Sequence, residues 1–223
     1  MESPIITTLG QDVAQLIATT LQDYPPRFAH RGRPLVCESC GACGYGDYAE
    51  NYVPHRLGDY LLAWGYLVCA ELYTLVVSES WTELNGHLIQ IGERAIQSGL
   101  VPREAISTLL VLQITDRLTR LNPEQHELPR PFVAYMLLHQ RITVPQLAMA
   151  FQTQLRLVLD HGVKPELTEI LATQGGIDLA TLETERRSYV ERIVSVNRGR
   201  PSQVSHHFQA DARPATHDGS APS

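Results

Sequence analysis

Three closely spaced cysteines are the residues of this chain whose spacing points most directly to chemistry. Cys37, Cys40 and Cys43 form C-x2-C-x2-C within the glycine-rich stretch CESCGACGYGD. This spacing lets thiolates converge on one ion, and a structural zinc ion normally takes four ligands. We therefore expect a zinc site. Two alternatives stay open: an iron–sulfur centre, although the usual x3-Cys-Pro continuation is missing, and free thiols in a loop.

The fourth zinc ligand is open among Cys69, His55 and His30. We favour Cys69, because it falls in the first turn of a predicted helix, where its thiolate would join the metal site to the helical part of the chain. In the alternative interpretation, Cys69 is a small buried apolar side chain. The expected metal ligands are Cys37, Cys40, Cys43 and Cys69.

Residues that could act as an enzymatic acid, base or nucleophile form no recognised constellation. Asp47 and Glu50 lie near Tyr48 and His55, but no nucleophile and base recur at a known spacing. The sequence also lacks the phosphate-binding pattern G-x-x-x-x-G-K-[ST]. We therefore expect a protein that is not an enzyme, and in particular not a motor ATPase.

An arginine, a leucine and a glycine open the leucine-rich stretch RLGDYLLAWGYL, as Arg56, Leu57 and Gly58. A guanidinium pairs with phosphate or lies on a purine face, and glycine lets backbone amides approach a ligand closely. Glycine inside a helix costs roughly 1 kcal/mol relative to alanine. Apolar packing within the stretch does not explain why position 58 is a glycine. We therefore expect a ligand there.

Helices are the elements expected to position these residues. Apolar residues at helical spacing predict one amphipathic helix over residues 11–22. From Arg56 to about Val194 the pattern is helical, with almost no strand-like alternation. The predicted fold class is all-α, built of stacked helical hairpins with a small N-terminal cysteine-rich element.

The chain divides into four predicted parts. Residues 1–30 hold the N-terminal amphipathic helix and a linker, 31–55 the cysteine-rich element, and 56–195 four helical hairpins. Residues 196–223 are polar, rich in proline, serine and histidine, and nearly free of large apolar groups. Such a segment cannot bury enough surface to order itself, so we expect a disordered tail.

The helical region aligns with itself as four segments, which we number one to four: 56–79, 90–113, 131–154 and 166–189. All four have an apolar residue at the second place and aliphatic residues at the twelfth and seventeenth places. Each segment predicts a short helix, a tight turn and a longer helix. One such hairpin cannot bury its apolar face alone, so the segments are expected to stack as repeats.

The turns and caps of the four segments have their own signals. Glycine at the tenth place suits the left-handed conformation that ends a helix. The thirteenth place is expected to cap the second helix, as Thr143 with Gln146 and Asp178 indicate, and Pro102 fits a first helical turn. Leucines around a glycine turn also occur in many all-α proteins, and segments three and four show little more. The tenth-place glycines are Gly65, Gly99 and Gly175.

Segments one and two share more than apolar spacing. They have a polar first residue, Arg56 or Gln90, and a third-place glycine, Gly58 or Gly92. Segment one resembles the MshEN motif. That motif reads Arg-Leu-Gly, two free residues, two aliphatics, two free residues, a glycine and two aliphatics, followed by two leucines and a final glutamine. That motif opens the N-terminal domains of type II secretion and type IV pilus assembly ATPases. In that family, two tandem copies form a small helical domain that binds cyclic di-GMP.

The resemblance implies that segments one and two form a cyclic di-GMP site. Two departures bear on it. Gln90 stands where the family usually has arginine, and Glu79 ends segment one in place of glutamine. The ligand-binding residues implied by the resemblance are Arg56, Leu57, Gly58, Leu61, Leu72, Ile91, Gly92 and Gln113.

The function implied is that of a bacterial regulator that acts on a protein partner of a secretion, pilus or motility system. The alternative is a ligand-free helical adaptor with a structural zinc site that mediates protein–protein contacts. A net charge of −6 argues against binding to nucleic acid or an anionic membrane. No apolar run approaches the roughly 18 residues of a membrane span, and the first residues lack a secretory signal. We expect a cytoplasmic protein.

Overall fold

A computed structural model of the chain describes residues 4–28, 56–77, 83–84, 87–88, 90–121, 128–129 and 131–199. These residues are mostly helical, which confirms the predicted all-α class. Two strands of two residues each, β1 (Glu83–Leu84) and β2 (His87–Leu88), pair antiparallel. The helices are α1 (Pro4–Asp23), α2 (Leu57–Ala63), α3 (Cys69–Val77), α4 (Ile91–Gln97), α5 (Arg103–Thr119), α6 (Phe132–Leu138), α7 (Val144–His161), α8 (Leu167–Gly175) and α9 (Leu179–Gly199).

Each of the four segments forms two helices, and the helices begin at matching places. The second place of a segment is the first residue of its short helix, and the fourteenth place is the first residue of its second helix. The sixth place is fully or almost fully buried in every segment. The sixth-place residues are Leu61, Ala95, Met136 and Leu171.

The turn within each segment contains one residue in the left-handed conformation. Gly65 and Gly99 have φ of 71° and 66° at the tenth place, and Gln140 takes φ of 54° at the same place in segment three. In segment four the prediction for Gly175 is wrong, since Gly175 is the last helical residue and Gly176 has φ of 64°. The helix α8 has nine residues, and this greater length moves the turn along by one residue.

In segments three and four, a side chain at the thirteenth place caps the second helix. Thr143 and Gln146 form the predicted capping box, in which the Thr143 amide donates to the Gln146 side chain at 2.8 Å. Asp178 accepts from the Thr181 amide at 2.9 Å at the start of α9. Pro102 is the residue just before α5 rather than part of its first turn.

The N-terminal helix α1 is longer than the sequence pattern predicts. It begins at Pro4 rather than near residue 11, because proline is favoured in the first helical turn and because Ile6 and Leu9 continue the buried stripe that includes Val13. This stripe packs on α5 and α7, the two long helices at the centre of the fold. At its far end, the hydroxyls of Thr20 and Thr108 are 2.8 Å apart and buried.

The last helix and the predicted tail overlap by a few residues. The helix α9 continues to Gly199, past residue 196, where the tail was expected to begin. The remainder of that predicted tail, residues 200–223, lies outside the described residues.

Candidate ligand-binding site between α2 and α4

The first residues of segments one and two are held in the same way. The backbone N–H of Arg56, just before α2, donates to the Asp59 carboxylate at 2.8 Å. The N–H of Gln90, just before α4, donates to the Glu93 carboxylate at 2.7 Å. In each case an acidic side chain at the fourth place caps the helix, and its negative charge interacts favourably with the positive end of the helix dipole. The Arg56 side chain is exposed.

Gly58 lies where α2 meets α3 and α4. A Cβ atom at this position would stand 3.0 Å from Cδ1 of Leu72 and 3.8 Å from Cδ1 of Ile91. The first distance is shorter than ordinary van der Waals contact. Gly58 therefore has a packing neighbour that the prediction did not include, although this neighbour is the end of a flexible, half-buried side chain. The contact runs between helices, so the apolar spacing within α2 alone could not reveal it.

Gly92 occupies the corresponding position on α4. A Cβ atom there would stand 2.9 Å from Cδ2 of Leu57 and 3.1 Å from Cγ2 of Ile106. Ile106 has no exposed surface and is a stiff, β-branched side chain. The approach is therefore tighter at Gly92 than at Gly58.

The two glycines have reciprocal surroundings. Each faces the seventeenth-place residue of its own segment and the second-place residue of the other segment. The short helices α2 and α4 thus cross through matching positions, as two bodies related by an approximate two-fold axis would do. Among the residues implied by the resemblance, the structure brings together Leu57, Gly58, Leu72, Ile91 and Gly92.

The fifth places extend the same reciprocal pattern. The Tyr60 hydroxyl on α2 donates to Asp116 on α5 at 2.9 Å, and the Arg94 guanidinium on α4 donates to the Leu75 carbonyl on α3 at 2.9 Å. Each side chain therefore reaches the second helix of the other segment. Burial of Tyr60, together with the neighbouring Asp116 carboxylate, raises the pKa of its hydroxyl, so the donor stays protonated at neutral pH.

Three of the implied ligand residues lie apart from this group. Arg56 adjoins it in the chain and is exposed at the start of α2. Leu61 has no exposed surface and belongs to the core. Gln113 is half-buried on α5, two turns or about 10 Å along the helix from Ile106. In this conformation a ligand would meet Arg56 and the half-buried apolar side chains before it met Leu61.

Sequence reasoning missed three groups that shape the site. Ile106 closes the space around Gly92, and Asp59 and Glu93 hold the starts of the two short helices. The signal for the acids was present in the sequence, because both occupy the fourth place, three residues after the segment's first residue, as in a capping box. The role of Ile106 depends on the approach of α4 to α5, which periodicity does not specify.

Only one member of the expected metal site falls within the described residues. Cys69 is the buried first residue of α3, whereas Cys37, Cys40 and Cys43 lie outside the described residues, as do His30 and His55. In the part of the chain that the structure describes, no three metal-binding side chains gather.

The chain leading to the cysteine-rich segment is tied to the turn before Cys69. The Phe28 N–H donates to the Gly65 carbonyl at 3.0 Å, and Arg27 pairs with Glu71 at 2.7 Å. The Tyr66 hydroxyl donates to the Tyr24 carbonyl at 2.8 Å, and burial raises the pKa of Tyr66 to about 12. Residues 24–28 therefore lie beside segment one.

No protein-family model, curated protein or solved structure matches the chain. Among the described helices, none has both the length and the apolar character needed to cross a bilayer.

Proposed function

We propose that this chain is a non-enzymatic bacterial regulatory protein in which segments 56–79 and 90–113 bind cyclic di-GMP. Binding would signal to a protein partner of a secretion, pilus or motility system. The observation that carries the proposal is the reciprocal packing of Gly58 and Gly92, which gives the crossing of α2 and α4 an approximate two-fold symmetry.

The symmetry matters because cyclic di-GMP consists of two identical nucleotides. A site with two matching halves offers each nucleotide similar contacts: Leu57 or Ile91 for a guanine face, and a helix start beside Gly58 or Gly92. The halves differ at their first residues. Arg56 offers a phosphate a full positive charge, whereas Gln90 offers only a neutral amide. We therefore expect the ligand to depend chiefly on Arg56 for charge.

The same proposal includes the finer fold, in which the four segments are repeats of one stacking unit. It is supported by helix starts at matching places and by a buried sixth place in all four segments. In this view segments one and two retain the ligand positions, and segments three and four serve packing, since their third places hold Val133 and Thr168 rather than glycine.

Titration calorimetry with cyclic di-GMP tests the proposal. We expect saturable heat at micromolar ligand with one ligand per chain. The variant Arg56→Ala should bind about 10- to 100-fold more weakly, the range for loss of a charged hydrogen bond, with an unchanged circular dichroism spectrum. Arg141→Ala is the matched control, because it removes the same charge from segment three. Absence of saturable heat at high micromolar ligand would refute the proposal.

The second candidate is a ligand-free adaptor whose helices serve protein–protein contact. It is favoured by the contact distances at Gly58 and Gly92, since both glycines have a packing role that requires no ligand. Thermal melting separates the two functions. A ligand that binds only the native state must raise the melting midpoint, so an unchanged midpoint at millimolar cyclic di-GMP favours the adaptor.

We also propose a structural zinc ion held by Cys37, Cys40, Cys43 and Cys69. It is supported by the hydrogen bond from Phe28 to Gly65, which holds the last described residue before the cysteines beside the turn that precedes Cys69. A colourless preparation with one zinc per chain by elemental analysis is expected, and Cys69→Ser should lose the metal. A brown preparation would indicate iron–sulfur chemistry instead, and zinc retained by Cys69→Ser would point to His55 or His30.

A further inference from the structure

Glu93 divides its carboxylate between two elements. One oxygen accepts the N–H of Gln90 and so caps α4. The other oxygen lies 3.3 Å from the ammonium of Lys164, which belongs to the connection between α7 and α8. The Glu93 side chain is 6% exposed and the Lys164 side chain 27%. A carboxylate this deeply buried is costly without a cation, so α4 and Lys164 are expected to move together.

The connection that carries Lys164 is fixed on both sides. After α7, Gly162 takes the left-handed conformation and the Val163 N–H donates to the Leu157 carbonyl at 3.2 Å. The Pro165 carbonyl accepts from the Gln154 side chain at 2.8 Å. The backbone around Lys164 is therefore ordered, and the ion pair joins α4 to a connection that is held in place.

The same connection reaches the last helix. Glu166, the residue before α8, pairs with Arg186 on α9. Lys164 and Glu166 are two residues apart, and one binds α4 while the other binds α9. The connection therefore bridges the ligand-site helix α4 and the C-terminal helices α8 and α9.

We propose that the Glu93–Lys164 ion pair couples the α4 half of the site to α8 and α9, so that displacement of α4 changes how readily α8 and α9 open. The identification of the ligand as the natural cause of that displacement rests on the proposed function. The coupling itself is a property of the fold and is testable without ligand.

Amide hydrogen exchange on the full chain, read by mass spectrometry over residues 167–175, tests the coupling. Gly92→Ala supplies the displacement, because its Cβ would press on Leu57 and Ile106. The paired background is Glu93→Gln with Lys164→Met. This double variant removes both charges together and keeps an amide oxygen to accept the Gln90 N–H, so α4 retains its cap.

With the ion pair intact, Gly92→Ala is expected to speed exchange in α8 at least about threefold, a modest coupling for contacting groups. In the Glu93→Gln/Lys164→Met background the same substitution should leave α8 exchange unchanged, and Lys164→Arg should retain the effect. Equal acceleration in both backgrounds, or none with the ion pair intact, would overturn the coupling. Should Gly92→Ala not fold, Ile91→Ala takes its place, because it removes the α4 side chain that lies against Gly58.

Cyclic di-GMP adds an arm that separates the two proposals. If the ligand binds and slows exchange in α8, that slowing should vanish in the Glu93→Gln/Lys164→Met variant at a ligand concentration that saturates this variant by calorimetry. If the ligand does not bind at all, the proposed function fails, and the Gly92→Ala comparison still decides whether the ion pair couples α4 to α8.

Discussion

The two halves of the helical region hold their short helices by different means. In the first half, residues 56–119, α2 and α4 cross through Gly58 and Gly92, and the charged side chains Asp59, Glu93 and Arg94 are buried. In the second half, residues 131–199, the third places carry side chains, and α9 is held by surface ion pairs. Those pairs are Arg186 with Glu166, and Arg141 with Glu185 at 3.2 Å.

Beside these ion pairs, two buried side chains, Leu182 and Tyr189, anchor α9. Tyr189 packs against the rings of Phe132 and Tyr135, with centroids 5.1 and 5.2 Å away, and its hydroxyl donates to the Pro129 carbonyl at 2.8 Å. Exposed ion pairs contribute little, typically about 0–1 kcal/mol each. Valines 190 and 194 of α9 are 49% and 40% exposed. We infer that α9 opens more readily than α2 and α4.

The contrast teaches that one helical pattern serves two purposes. Close approach of short helices, with buried polar side chains, gives the first half the nearly symmetric crossing on which the proposed ligand site rests. Surface charge pairs leave the second half easier to open, as expected of a region that responds to what happens elsewhere.

Truncating a core leucine in each half should have the largest effect on stability and should show most clearly that the two halves differ. Leu61 and Leu171 occupy the same place in segments one and four and are 0% and 1% exposed. Each change to alanine should lower the free energy of unfolding of the helices around it by about 2–5 kcal/mol. Leu61→Ala is expected to lower the urea midpoint of the whole chain. Leu171→Ala should instead accelerate hydrogen exchange chiefly in residues 167–199. Equal effects of both variants on exchange in residues 57–63 would contradict the proposed difference.

Three glycines give a graded test of the close approach. Gly92→Ala should destabilise the fold by about 1–2 kcal/mol, because overpacking outweighs the gain in helix propensity. Gly58→Ala should be nearly neutral, since the Leu72 side chain it meets is flexible and half-buried. Gly10→Ala in α1 meets no atom within 4 Å and should stabilise by about 0.5–1 kcal/mol. Urea unfolding measures all three, and any other order would disprove the packing argument.

Lowering the pH should destabilise the second half, by less than the substitutions above. Hydrogen bonds from Arg186 and from Thr181 hold the pKa values of Glu166 and Asp178, respectively, below their ordinary values. The charged forms therefore stabilise α8 and α9 at neutral pH, and this contribution is lost as the pH falls below about 4 through the lowered values. Asp178→Asn caps a helix without titrating.

Two measurements between pH 6 and pH 3 test this prediction: the thermal melting midpoint, and the NMR chemical shift of the Thr181 amide. The midpoint of the parent protein should fall, and Asp178→Asn should lose part of that pH dependence. A variant with the full dependence of the parent would show that Asp178 does not contribute.

The sequence predicts what depends on local spacing. The two helices of each segment, the Thr143 capping box and the burial of Cys69, which is one of the two interpretations of that residue, all follow from residues close in the chain. The sequence does not predict what depends on contacts between segments. The partners of Gly58 and Gly92, the inaccessibility of Leu61 and the Lys164 contact with Glu93 arise only when hairpins meet.

Two smaller errors have separate causes. Gly175 and Gly176 both permit a left-handed turn, and the choice between them is set by the length of α8. The additional turns of α1 depend on packing against α5 and α7, which the spacing within residues 11–22 does not report.

Hydrogen exchange of the parent protein with and without cyclic di-GMP tests the central claim most directly. Because the proposed site has two reciprocal halves, the ligand should slow exchange in residues 57–63 and in residues 91–97 together, and Arg56→Ala should abolish both effects at the same ligand concentration. Unchanged exchange in both helices, or slowing confined to one of them, would contradict a shared two-fold site.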